Sequence, residues 1–227
     1  MNITGITNRY KVERVKKAKK LKKSSVQWLN RQLNDPYVKE AQERGYRSRA
    51  SFKILEINEK FKLFKKGYKV LDLGSAPGGW SQMLVDIVGE GNILAVDILP
   101  MEEISGVKFI QQDFLAEDAT KIILQQMNGE KYNAVISDMA ANTTGDRKTD
   151  HLRTSLLVES ALDFALTVLK EGGCFVAKVF QGGIEKEIFD KLKENFKTVK
   201  HFKPNSSRKD SVEMYVVAMD FKGITKY

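Results

Sequence analysis

From Lys69 onward, short β-rich runs alternate with segments of helical period, and few architectures accommodate that order. The runs are Val70–Leu73, Ile93–Asp97, Val107–Gln111, Tyr132–Ser137, Cys174–Val179, Val199–Phe202 and Val212–Phe221. Helical segments are expected at Trp80–Val88, Ala116–Met127, Thr154–Leu169 and Ile184–Phe196. Such alternation predicts a mostly parallel sheet covered by helices on both faces. No clear helix separates the last two runs, so they are expected to close a seven-stranded α/β sheet as an antiparallel hairpin. Upstream, a helix is predicted from about Ser48 to Phe61, with Ala50, Ile54, Ile57 and Phe61 on one face. Ser24 with Gln27 reads as a capping box for a short helix through Val26, Trp28 and Leu29, which the Asn34-Asp35-Pro36 turn ends.

The chain has 227 residues, 42% of them hydrophobic, enough for a single core. Its one cysteine, Cys174, excludes an internal disulfide and a cysteine-cluster zinc site. The two histidines, His151 and His201, lie outside any ligand spacing, so no metal is expected. No apolar run approaches the roughly 18 residues of a membrane span, and the N-terminus lacks a signal-peptide core. A monomer acting in the cytoplasm, away from membranes, is the expectation.

Charge is concentrated at one end. The formal net charge is +9, yet residues 1–50 alone hold 14 Lys/Arg against 4 Asp/Glu, while the remainder holds 24 against 25. Nine basic side chains and one acid lie between Arg9 and Lys23. A field so localised attracts polyanions, nucleic acid above all. A solvated basic tail is the competing reading. A transit peptide fits less well, because lysine outnumbers arginine and Glu13 is retained. Residues 1–47 are accordingly read as a basic, helical RNA-binding extension, and 48–227 as the main domain.

The first strand runs directly into Gly74-Ser75-Ala76-Pro77-Gly78-Gly79-Trp80, at the point of an open α/β sheet where ligands bind. A P-loop needs lysine after its second glycine, and Trp80 stands there. The dinucleotide fingerprint fails at Ala76. A loop that permits close approach without a cationic cradle suits S-adenosylmethionine, which has no phosphate. Asp97 ends the second strand, where an acid can bind both ribose hydroxyls; Asp113 follows the third, beside the adenine edge; Asp138 closes the fourth, over the methyl-donor end. Each alone reads equally as a cap or turn residue; three at consecutive strand ends point to a site. Gly78, Trp80, Asp97, Asp113 and Asp138 are the cofactor-binding candidates.

The acceptor is read by exclusion. Ser137-Asp138-Met139-Ala140-Ala141-Asn142 carries no aromatic ring to stack a base, and Cys174 lies in an apolar run as a core residue. A hydroxyl remains, and a hydroxyl needs help with its proton. Lys178 ends the fifth strand in an apolar run, as a base or as an edge lysine reaching for water. Lys53 falls at the margin of its helix's apolar stripe, where the stem packs and the ammonium enters a site. Glu213 alternates with Val212 and Met214, and either faces solvent or orients a lysine.

These residues, with Ser48–Lys53, Asp72–Gln82, Asp97–Met101, Ser137–Ala140, Lys178–Gly182, Lys203-Pro204, Ser207-Arg208 and Glu213-x-Tyr215, resemble the FtsJ-type heat-shock rRNA 2′-O-ribose methyltransferases, the large-subunit methyltransferase E group. The resemblance covers roughly residues 45–220. It implies a Rossmann-like S-adenosylmethionine-dependent methyltransferase fold and a Lys-Asp-Lys-Glu tetrad, here Lys53, Asp138, Lys178 and Glu213. It also implies a substrate: a uridine ribose in the A-loop of large-subunit (23S) rRNA, on the 50S ribosomal subunit. Ala141 stands where the family usually has proline. A tRNA ribose, or a non-catalytic RNA-binding role in ribosome assembly, are the alternatives the sequence leaves open.

Overall fold

The computed structural model describes residues 13–15, 22–141, 144–181, 186–208 and 210–223. Three helices come first: α1 (Lys23–Leu33), α2 (Pro36–Glu43) and α3 (Ala50–Phe61). Then follow β1 (Val70–Leu73), α4 (Gly79–Val88), β2 (Ile93–Asp97), β3 (Val107–Gln111), α5 (Ala119–Gln126) and β4 (Tyr132–Ser137). The chain continues through α6 (Arg147–Val168), β5 (Leu169–Phe180), α7 (Lys186–Asn195), β6 (Phe196–Phe202) and β7 (Glu213–Phe221). Most of the basic stretch Arg9–Lys23, and the expected helix start at Ile184, lie outside the described residues.

The seven strands form one sheet in the order β3-β2-β1-β4-β5-β7-β6. The pairs β1–β2, β1–β4, β2–β3 and β4–β5 are parallel; β7 pairs antiparallel with both β5 and β6. The expected α/β sheet and its antiparallel hairpin are both present. β1 is buried at every residue, as a central parallel strand between two helical layers must be. One sheet face packs Leu71, Val135, Phe175 and Val216 against Leu162 and Ala165 of α6 and Leu192 of α7. The other packs Val70, Ile136, Val176 and Tyr215 against Ile54 and Ile57 of α3 and Trp80 and Leu84 of α4. Strand order reverses between β1 and β4, which opens a crevice at their carboxyl ends.

Local readings needed correction at the edges. The Ser24–Gln27 capping box does not form: α1 begins at Lys23, Lys22 occupies the cap position without a side-chain bond, and Ser24 falls inside the helix. The turn at Asn34-Asp35-Pro36 does end α1, but it also starts α2. Pro36 sits in its first turn and the Asp35 carboxylate accepts the Tyr37 N–H at 3.1 Å. Proline suits that position because its missing N–H would have no partner there. α6 begins at Arg147 rather than Thr154, because the Asp146 carboxylate caps it by accepting the Thr149 N–H at 2.8 Å.

Candidate active site

The β1–α4 loop is held by the strand beside it. The N–H groups of Gly74 and Ser75 donate to the Val96 carbonyl, and the Ala76 N–H donates to Asp97 Oδ2 at 2.8 Å. Gly74 has φ +76°, and a Cβ there would stand 2.8 Å from the Met139 nitrogen, so only glycine lets the end of β4 approach. Beyond this loop opens a cleft of about 490 Å³, lined by Gly74, Asp97, Leu99, Asp113, Asp138 and Met139 among others. Ile98, Phe114 and Leu157 add apolar walls, and among the described residues no lysine or arginine contributes to the lining.

Three of the five expected cofactor residues thus line one cleft: Asp97, Asp113 and Asp138. The Asp97 carboxylate also organises it, since its other oxygen accepts the Leu99 N–H at 2.8 Å. Asp113 accepts the Leu115 N–H at 3.0 Å in the same manner. Gly78 and Trp80 are placed differently. Gly78 caps α4 in a left-handed conformation, packed under Met101 and Ile104. The Trp80 indole is buried, donates to the Ala50 carbonyl at 3.0 Å and packs on Tyr215 at 5.5 Å between ring centres. Trp80 therefore turns its ring into the core between α3 and β7 and, like Gly78, is not among the residues lining the cleft.

Strand register brings the remaining candidates together. Lys178 of β5 pairs with Tyr215 of β7, and Phe180 with Glu213, so Lys178, Tyr215 and Glu213 all project toward α3. Lys178 Nζ donates to the Asp138 carbonyl at 2.6 Å and pairs with Asp138 Oδ1 at 3.1 Å. The Tyr215 hydroxyl donates to the same Oδ1 at 2.8 Å. From α3, Lys53 Nζ pairs with Glu213 Oε2 at 3.3 Å and lies 5.6 Å from the Tyr215 ring centre. Both lysines are 6% exposed, neither reaching for water as isolated surface lysines do. Burial pushes the Asp138 carboxyl up, but Lys178, Lys53 and the Tyr215 hydroxyl outweigh it and hold the group below the usual carboxylate range. Burial and the neighbouring carboxylates Asp138 and Glu213 keep the Tyr215 phenol protonated.

Two groups of residues escaped the sequence reading. Tyr215 was part of a motif but had no role, although its alternation with Glu213 places both on one face. The second group braces the site from outside. Asp35 pairs with Arg49 at 3.1 Å and Arg208 at 3.0 Å, and Glu56 accepts the Ser206 N–H at 2.9 Å, joining the segment before β7 to α3. The Arg47 guanidinium donates to the carbonyls of Pro77 and Glu102, bridging the glycine loop to the segment that covers Gly78. Asp72 is fully buried and accepts from the Ser81 hydroxyl at 2.6 Å; burial raises its carboxyl to about 7. Burial likewise pushes the Cys174 thiol up to about 12, as befits a core residue. Among the described residues, no cluster of His, Cys, Asp and Glu could hold a metal ion, and no helix is long and apolar enough to cross a membrane.

Residues 46–221 match the family model described as FtsJ-like methyltransferase. This chain belongs to that family. Among its FtsJ-like relatives, a protein of Rickettsia canadensis named Ribosomal RNA large subunit methyltransferase E is 51% identical over 97% of this chain and 99% of the relative. A Rickettsia bellii protein of the same name is equally similar, over the same shares. A solved structure from Plasmodium falciparum, assigned as a ribosomal RNA methyltransferase, superposes with a TM-score of 0.70 at 28% identity, over 79% of this chain and all of that one. The FtsJ-like methyltransferase assignment agrees with the sheet order and with the cleft at its switch point.

Proposed function

We propose that this methyltransferase uses S-adenosylmethionine to methylate the ribose 2′-hydroxyl of a uridine in the A-loop of large-subunit rRNA, on the assembled subunit in the cytoplasm. One observation carries the reading. Asp138 lines the cleft on one side and is paired with Lys178 on the other, so a single carboxylate joins the ligand site to a buried lysine.

The cleft fits the cofactor. Its apolar walls suit a nucleoside, Asp97 suits the ribose hydroxyls, Asp113 the adenine edge, and a lining without cationic side chains among the described residues suits a nucleoside lacking phosphates. When bound, the cofactor supplies a methyl group on a positively charged sulfonium. The chain's own residues hold the acceptor. Asp138, kept ionised, takes two interactions from Lys178, which leaves the third position on that nitrogen for the acceptor oxygen; Lys178 steers the 2′-hydroxyl proton, which departs to solvent as the oxygen gains the methyl group. Glu213 pairs with Lys53 on the α3 side, and both lysines are buried. Holding the acceptor in line in this way lowers the entropic part of the barrier. The choice of rRNA rests on the names of the relatives; the choice of uridine and A-loop rests on the sequence resemblance.

The test is labelled-methyl transfer to undermethylated large subunits, free rRNA and tRNA, with the modified nucleotide mapped. Label in one rRNA ribose is the expected result, and its loss in Lys178→Ala with cofactor affinity retained supports the assignment. Label in tRNA alone, or in none of the three, overturns it.

A further inference from the structure

Trp28 is 51% exposed in the middle of α1, whereas Trp80 is 3% exposed. An indole on a surface helix gains nothing from water, and this helix carries Lys23 and Arg31 and no acid. Arg31, also exposed, lies three residues on and so on the same helical side. The segment around Glu13 and Val15 bonds to Asn34 and Asn30, on the far side of the helix from Trp28. α1 is rooted beside the acceptor residues. The Asp35 that follows it pairs with Arg49, which precedes Lys53 by about one turn of α3. Trp28 lies seven residues before Asp35, about 10 Å along the helix axis.

We infer that Trp28 is a stacking platform for an unpaired base of the RNA substrate, with Arg31 on the same side of the helix to meet its phosphates. Aromatic side chains beside a positive surface are how single-stranded nucleic acid is held without sequence readout, because every base has a π-face. This rests on the RNA-substrate reading above and assigns it a second contact, separate from the acceptor pocket.

The test uses the full chain and a short single-stranded oligoadenylate, with a duplex of equal length as control. Wild-type tryptophan emission is expected to be quenched on binding. In Trp28→Phe the residual emission comes from buried Trp80 and is expected to stay constant, while affinity is largely kept. Trp28→Ala is expected to weaken single-strand binding by about 5- to 150-fold, the usual effect of removing one stacked base's platform. Duplex affinity and the salt slope are expected to match wild type, because no phosphate contact is removed. Equal single-strand affinity in Trp28→Ala overturns the inference, and so does an equal loss for duplex. A loss seen with intact subunits but absent with naked RNA also overturns it, and assigns the face to a ribosomal protein. Base quenching at Trp28 together with failed methyl transfer would sink the proposed reaction and leave this contact standing.

Discussion

The pairing of buried Lys178 with Asp138 at the cleft wall permits a stability test that needs no RNA. Asp138→Asn keeps the shape of the side chain and an acceptor for the Tyr215 hydroxyl, but removes the charge 3.1 Å from Lys178 Nζ. At an effective dielectric of about 20, that attraction is about 5 kcal/mol before desolvation is subtracted. Removing one member of a buried pair costs about 3–5 kcal/mol, since an uncompensated charge is left behind; with Lys178 buried but Asp138 20% exposed, the lower end of that range applies. For a chain of this size the midpoint should fall by on the order of 10 °C at pH 7. Adding Lys178→Met should restore most of the loss, because no lone charge then remains and the apolar stem is replaced. Asp138 is held below the usual carboxylate range, so its contribution is full above about pH 4 and is lost as the pH falls through the native value. The gap between wild type and Asp138→Asn should therefore close in acid. Calorimetry across pH on the two single variants and the double variant reads all of this. If Asp138→Asn melts within about 2 °C of wild type at pH 7, or the double variant is no better than the single, the pair is not the closed unit described here.

Asp72, with its carboxyl raised to about 7, retains a proton in the native state that the unfolded chain releases near pH 4. Its stability cost therefore grows between about pH 4 and 7, and Asp72→Asn should flatten that slope, gaining up to about 4 kcal/mol at pH 8; urea titrations at pH 5 and 8 check it, and an unchanged slope counts against it. Asp97→Ala removes the acceptor for Ala76 and Leu99 as well as the expected ribose partner, so calorimetric titration should show S-adenosylmethionine bound at least about tenfold more weakly. Unchanged affinity would show that the end of β2 does not hold the cofactor. Deleting residues 1–23 should flatten the dependence of log RNA affinity on log salt by about 0.7 per lost phosphate contact, and leave the methylated nucleotide in place. An unaltered slope marks the segment as a solvated tail, and a shifted nucleotide marks it as selecting the substrate.

The centre of the sheet could be read from the chain because β1, β2 and β4 are short apolar runs bounded by turn residues, and because burial on both faces leaves little room for another register. The strand-end acids were readable for the same reason: once the strands are placed, Asp97, Asp113 and Asp138 must share one edge. Trp80 was assigned to the cofactor by its place in the loop, yet its indole turns to α3, which follows from packing across the sheet and has no local signature. α2 was missed because Asp35-Pro36 signals both a turn and a helix start, and the tie came from Tyr37 and Ala41 packing near Phe52. Contacts such as Asp35 with Arg208 join residues 173 positions apart, which no window along the sequence spans.

β7 is the last strand of the sheet to be synthesised, yet it lies inside the sheet, between β5 and β6. Until residues 213–221 leave the ribosome, β5 is an edge, with the apolar run Cys174–Val179 open to any passing strand. The same nine residues bring Glu213 to Lys53 and Tyr215 to Asp138. The glycine loop and its acids can take shape on a nascent chain while the Glu213 and Tyr215 contacts are still missing. Synthesis order thus makes completion of the sheet and completion of the proposed acceptor side one event, and a chain broken off before β7 carries a sticky edge in its place.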